Sequence, residues 1–156
     1  MKRSVCILLL VVLGLEVSLW AGLGGNKAMY MGGTIPDLKE KTEGKSSTAD
    51  DKAFAFEYKG GKLSIPYEQI NSLEYGQKAG RRVGLAVVVN PFFLFSKKRR
   101  HYLTVGFVDE NKKQQAAVFE LGKDAIKGTL ASLETKTGKK VEYQDEEARK
   151  TGTGKK

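Results

Sequence analysis

Residues 102–138 read YLTVGFVDENKKQQAAVFELGKDAIKGTLASLETKTG, and this stretch decides the fold. Its first half contains an alternating run, Tyr102–Val108, with Leu103, Val105 and Phe107 on one face, and a second run with strand character, Gln114–Leu121. The polar stretch Asp109–Lys112 separates them. This pattern predicts two antiparallel strands joined by a turn.

The second half of the stretch changes period. Between residues 124 and 137 three apolar side chains recur at helical spacing, at Ile126, Leu130 and Leu133, and Gly138 follows as a helix stop. This helix has only one apolar stripe, so we expect it to cap the sheet. A run of strands followed by one helix predicts an α+β fold rather than an alternating β-α-β fold.

The sequence before this stretch contains further runs with strand character, at Lys27–Ile35, Ala53–Tyr58, Leu63–Ile65 and Ile70–Gly76. Gly60-Gly61 predicts a tight hairpin turn between the second and third of these runs, and Gly32-Gly33 predicts a bulge or bend in the first. Pro36–Lys52 is predicted to be a polar connection. Lys140–Tyr143 is either a last short strand or the docking end of the helix. Together these elements predict a mostly antiparallel bent sheet or barrel of about six or seven strands, capped by one C-terminal helix.

The first residues, 1–21, are predicted to be a signal peptide whose helix precedes the domain. Met1–Arg3 is positively charged, and Val5–Leu15 is an apolar run of the length that secretory signals have. The alternative is an uncleaved membrane anchor over residues 5–23. That anchor would hold Glu16 inside the membrane at a cost of about 2.5–3.5 kcal/mol. Both interpretations predict an exported chain, either periplasmic or extracellular.

Removal of residues 1–21 leaves 135 of the 156 residues, which suits one domain, and lowers the formal net charge from +9 to +8. It also removes Cys6, the only cysteine, so we expect a domain without disulfides. A basic surplus favours anionic partners, and export makes nucleic acid the weakest of these. The charged segment Gln144–Lys156 has no apolar period and is predicted to be a disordered tail.

The segment between Gly80 and His101, GRRVGLAVVVNPFFLFSKKRRH, carries the candidate functional residues. An apolar run, Val83–Phe95, is bracketed by basic residues, which is typical of a segment that meets a lipid surface. As a helix this run would be about 20 Å long, too short to cross a hydrocarbon core of about 30 Å. The candidate ligand- or membrane-binding residues are Arg81, Arg82, Phe92, Phe93, Phe95, Lys97, Lys98, Arg99 and Arg100.

Two other interpretations of Val83–Phe95 stay open. The run is either a core strand with solvated charged ends or a surface that packs against another protein. The basic cluster after it also resembles a phosphate-binding patch, but the signal peptide argues against nucleic acid. His101, the only histidine, is expected to be structural, because carboxylates at metal-ligand spacing are missing. No nucleophile elbow and no phosphate loop after a strand occurs in the sequence, so we expect no enzyme, no cofactor and no metal site.

The order of these elements resembles the bacterial pleckstrin-homology-like (PH-like) fold. The resemblance is carried by Leu63–Leu73 (LSIPYEQINSL), His101–Phe107 (HYLTVGF) and Val118–Leu133 (VFELGKDAIKGTLASL). With the segments between them it spans residues 27–143, and residues 80–100 form an apolar insertion. The resemblance implies a bent antiparallel sheet closed at one end by a helix, which serves as a platform for lipid or protein binding.

Eukaryotic lipid-binding members of this fold carry basic residues in the loop after the first strand. Here that loop holds lysines and acidic residues in balance, so the resemblance implies no phosphoinositide binding. We therefore expect a non-catalytic, exported module of the cell envelope that binds an anionic membrane surface or an envelope protein through Arg81–Arg100. The alternative is a protein-interaction or structural envelope domain without lipid binding.

Overall fold

The computed structural model describes residues 26–77 and 100–154 of the chain. The predicted signal peptide, residues 1–21, and most of the apolar insertion, residues 78–99, lie outside the described residues. The strands are β1 (Asn26–Gly33), β2 (Thr42–Ser47), β3 (Ala53–Tyr58), β4 (Gly61–Pro66), β5 (Ile70–Gly76), β6 (Tyr102–Val108), β7 (Gln114–Leu121) and β8 (Val141–Tyr143). The helices are α1 (Ile126–Thr137) and α2 (Glu146–Thr153).

The eight strands of the described residues form one sheet in the order β4-β3-β2-β1-β7-β6-β5-β8. Every neighbouring pair is antiparallel except β5 and β8, which run parallel. The sheet is open, because β4 and β8 are the two ends of this order. The first strand therefore lies in the middle, where it joins the β2–β4 meander to the β5–β7 meander.

The main core lies on the face of the sheet that both helices cover. At its centre the Phe119 ring contacts the rings of Tyr30, Phe54 and Phe56 at centroid distances of 5.8, 5.4 and 5.1 Å. Alternate residues of β1, β3, β6 and β7 point into this core because side chains of a strand alternate between the two faces. The aromatic cluster thus holds the two meanders together.

Helix α1 closes the core as the sequence predicts. Its apolar stripe, Ile126, Leu130 and Leu133, is fully buried, and its C-cap Gly138 has a φ of 68°. The backbone N–H of this glycine donates to the carbonyl of Glu134 at 3.0 Å. Near the same end, the Lys136 ammonium donates to the carbonyls of Thr48 and Asp50, at 2.9 and 2.7 Å, and so fixes the helix to the β2–β3 connection.

The predicted α+β class with a mostly antiparallel sheet is confirmed, but two finer predictions are wrong. The described residues contain eight strands rather than six or seven, because β2 occupies part of the predicted Pro36–Lys52 connection. They also contain two C-terminal helices rather than one. Of the two interpretations of Lys140–Tyr143, the short strand is the one observed, as β8.

Helix α2 lies within residues 144–156, for which the sequence predicts a disordered tail. Asp145 is its N-cap, and its carboxylate accepts from the Ala148 N–H at 2.7 Å. Ala148 is fully buried in the main core, and Gly152 allows the helix to lie close to Tyr143 and Leu130. Local capping and two small residues thus order a segment that has no apolar stripe in the sequence.

Candidate functional site

Only one of the nine candidate binding residues, Arg100, belongs to the residues that the structure describes. The other eight lie outside them: Arg81, Arg82, Phe92, Phe93, Phe95, Lys97, Lys98 and Arg99. The structure therefore describes the site through the two strands that flank this segment, β5 before it and β6 after it.

The two ends of the segment meet at one corner of the sheet. Gly76, at the end of β5, pairs with Tyr102, at the start of β6. The side-chain amide of Gln77 donates to the Thr151 hydroxyl of α2 at 2.9 Å, which fixes the chain where it leaves β5. On the return, the His101 carbonyl accepts from the Leu121 N–H at 2.8 Å. Residues 78–99 are thus an insertion between two adjacent, hydrogen-bonded strands.

Arg100 forms an ion pair within the domain. One of its guanidinium nitrogens, Nη1, donates to Glu120 Oε2 at 2.7 Å, and the two side chains are 37% and 23% exposed. The hydrogen bond and the charge of Glu120 raise the pKa of Arg100 above its usual value. Because Glu120 neutralises this charge locally, the guanidinium of Arg100 is less available to an anionic ligand than that of an unpaired surface arginine. Glu120 faces Tyr102 in the strand register, which places it beside Arg100.

His101 is held on the core side of the same corner. Its Nδ1 and the Tyr75 hydroxyl are joined by a hydrogen bond of 2.7 Å, and the two rings are stacked at an interplanar angle of 5°. Burial lowers the pKa of His101, and the nearby positive charge of Lys123 lowers it further. Burial also raises the pKa of Tyr75, so both partners stay uncharged near neutral pH. The pair anchors the start of β6.

A cleft of about 710 Å³ lies on the sheet beside this corner. It is formed where the first half of β1, the middle of β2, the end of β3 and the end of β7 come together. Its charged residues are Lys27, Lys45, Lys59, Glu43, Glu57 and Glu120, and its other lining residues are Ala28, Met29, Gly44, Tyr58, Leu121 and Gly122.

Two of the three cleft glutamates have basic partners outside the cleft. Glu120 pairs with Arg100, and Glu57 pairs with Lys62 at 3.8 Å. The cleft therefore combines an apolar surface with charges of both signs, which suits a polar or amphipathic ligand. The sequence analysis missed it, because its residues come from four strands and adopt this arrangement only through the strand register.

Comparison with known proteins adds no assignment. No protein-family model matches the chain, and no curated protein has a significantly similar sequence. Among the described residues, no helix is both long and apolar enough to cross a membrane. The same residues contain no group of three or more side chains placed to hold a metal ion.

Proposed function

We propose that this chain is an exported, non-catalytic binding module with a PH-like fold. It acts at the cell envelope, where the basic-flanked apolar segment between β5 and β6 binds an anionic membrane surface or a membrane-associated partner. The antiparallel meanders closed by α1 support the PH-like assignment. The parallel strand β8 and the helix α2 are additions at its C-terminal end.

The distribution of charge carries this proposal. Residues 26–77 and 100–154 together contain 17 lysines and arginines and 17 aspartates and glutamates, so the described domain has no formal net charge. Residues 78–99 contain six lysines and arginines and no acidic residue. A generally basic domain would attract anions over its whole surface, whereas this chain concentrates its surplus in the segment that also contains the apolar run.

The described end of the segment refines the set of binding residues. Arg100 is paired with Glu120, so we assign anion binding to Arg81, Arg82 and the Lys97–Arg99 cluster instead. At an anionic surface each such residue contributes about 1 kcal/mol, and the attraction decays within a Debye length of about 8–10 Å. Membrane binding through these residues is therefore expected to weaken as salt is raised.

Liposome co-sedimentation tests the proposal with matched charge reversals. The protein is the chain from residue 22, which retains every described element, with anionic and with neutral vesicles. We expect it to bind the anionic vesicles only, and K97E/K98E to lower the affinity by about thirty-fold or more, since at least 2 kcal/mol is lost. The control K139E/K140E makes the same change in charge at two exposed residues between α1 and β8 and should bind like the parent.

Two outcomes contradict the proposal. Failure to bind either kind of vesicle excludes lipid binding and leaves the alternative, a protein-interaction or structural domain of the envelope. Equal losses of affinity in K97E/K98E and K139E/K140E would contradict the assignment of binding to the segment between β5 and β6, because only the net charge would then matter. For the alternative function, Phe93→Asp should abolish capture of the envelope partner while vesicle binding stays as in the parent.

A further inference from the structure

A row of four charged residues crosses the cleft side of the sheet, one from each of the strands β1 to β4. The strand register places each member directly opposite the next. The row lies on the face opposite the main core, because the adjacent residues Ala28 and Phe56 belong to that core and side chains alternate along a strand. Its members, in order, are Lys27, Lys45, Glu57 and Lys62.

The first step of this row brings two like charges together. Lys27 of β1 is opposite Lys45 of β2. Residues in such positions have Cβ atoms about 4.5–5.5 Å apart, and like charges there destabilise the strand pair. The other two steps join opposite charges, and the last of them forms an ion pair of 3.8 Å between Glu57 and Lys62. An anion bound at the first step would therefore relieve a repulsion that the fold imposes.

The two lysines have no acidic partner in the described part of the chain. Within residues 26–77 and 100–154, neither the Lys27 nor the Lys45 ammonium group forms an ion pair or a side-chain hydrogen bond. Two of the three cleft glutamates are paired with basic residues outside the cleft, and the charge of the third, Glu43, is offset by Lys59. The surplus positive charge of the cleft is thus that of the Lys27–Lys45 pair.

An apolar surface lies beside this pair. Met29 follows Lys27 by two residues on the same face of β1, which corresponds to about 7 Å along the strand. Met29 and Tyr58 both line the cleft and are only partly buried. The cleft volume of about 710 Å³ falls within the range of about 300–1,000 Å³ that small-molecule sites have.

We propose that the cleft binds a small amphipathic organic anion, in which a carboxylate or phosphate group is carried on an apolar body. The oxyanion group bridges the ammonium groups of Lys27 and Lys45, and the apolar body covers Met29. Each ammonium group has three donors, and hydrogen bonds between charged partners are the strong ones. The inference goes beyond the proposed function, because this site uses the described sheet and none of residues 78–99.

Methyl NMR of the full chain tests the site at its apolar end. The chain has three methionines, so a protein labelled at the methionine methyl carbons gives a simple spectrum, in which Met29→Leu assigns the cleft signal. Phenyl phosphate and benzoate are titrated separately. We expect a saturable shift of the Met29 methyl signal with at least one of them, and the tighter binder identifies the oxyanion group. Phenol should give no saturable shift, and inorganic phosphate should bind more weakly than phenyl phosphate.

Charge reversal tests the lysine pair. K27E turns the like-charge step into a pair of opposite charges, so we expect a folded protein that resists urea at least as well as the parent. Its affinity for the anion should fall by about ten-fold or more. The control K139E makes the same change in charge at an exposed residue between α1 and β8 and should bind like the parent.

Three results would overturn the proposal. The first is the absence of a saturable Met29 shift with both anions. The second is an affinity of K27E equal to that of the parent, and the third is an equal loss of affinity in K27E and K139E. K97E/K98E should keep the Met29 response even where it loses vesicle binding, so this proposal and the proposed function can fail separately.

Discussion

Gly33 is the position where a single methyl group should damage the sheet most. It ends β1 with a φ of 154°, a conformation that residues with a Cβ rarely adopt. A Cβ placed there would lie 2.2 Å from the Ala116 carbonyl oxygen and 2.9 Å from the Tyr30 hydroxyl oxygen. That carbonyl accepts a hydrogen bond from the Thr34 N–H at 2.9 Å, so it cannot move away without loosening the β1–β7 pairing.

The expected cost of Gly33→Ala has two parts. Backbone strain in this region of φ amounts to about 1–3 kcal/mol. Forcing a methyl group against packed backbone adds about 1–3 kcal/mol. We therefore expect Gly33→Ala to lower the free energy of unfolding by about 2–6 kcal/mol, a large share of the 5–15 kcal/mol typical of a domain.

Substitutions at two glycines with open surroundings serve as controls that separate backbone strain from steric overlap. Gly60 has a φ of 118° and nothing within 4 Å of an added Cβ, so Gly60→Ala reports strain alone, about 1–3 kcal/mol. Gly128 lies inside α1, also with nothing within 4 Å. Gly128→Ala should stabilise the protein by up to about 1 kcal/mol, because alanine is the better helix former.

Urea unfolding followed by circular dichroism measures all three variants. The expected order of midpoints, from high to low, is Gly128→Ala, parent, Gly60→Ala and Gly33→Ala, with an unchanged slope. The reasoning fails if Gly33→Ala loses no more stability than Gly60→Ala, because the close approach to Ala116 would then have no energetic consequence.

Three further predictions concern the core, the histidine and the second helix. Phe119→Ala removes the fully buried centre of the aromatic cluster and should cost about 3–5 kcal/mol in urea unfolding. The pKa of His101 is lowered in the folded state, so its contribution to stability is complete above about pH 6.5 and is lost as pH falls towards the lowered value. His101→Gln should flatten this part of the pH dependence, and an unchanged slope would contradict the assignment. Asp145→Ala removes the α2 cap at a cost of about 1 kcal/mol, visible as faster amide exchange in α2, whereas Asp145→Asn should retain protection.

The elements that the sequence predicted share one property: their own residues show the period. β3 directs Phe54 and Phe56 into the main core at a spacing of two, and α1 buries Ile126, Leu130 and Leu133 at spacings of four and three. The Gly32-Gly33 irregularity appears as a register shift in β1. The sequence of β2 shows no such period, because a side chain of the neighbouring strand β3 fills the space on its core-facing side. At Gly44 a Cβ would lie 2.8 Å from the Phe56 ring, so an apolar residue is excluded where alternation would place one. This strand is specified by its neighbour.

Arg100 shows that the prediction of the candidate site was limited in the same way, because it used only the local sequence pattern. In the sequence it is the last of four consecutive basic residues, and the pattern assigns all four the same role. Its partner, Glu120, is 20 positions away and comes next to it only because β6 and β7 pair with Tyr102 opposite Glu120. A local pattern therefore gives the charge of a residue but not whether that charge is available, since availability depends on long-range pairing. Arg100 is therefore left out of the proposed binding residues, since its charge is already paired with Glu120.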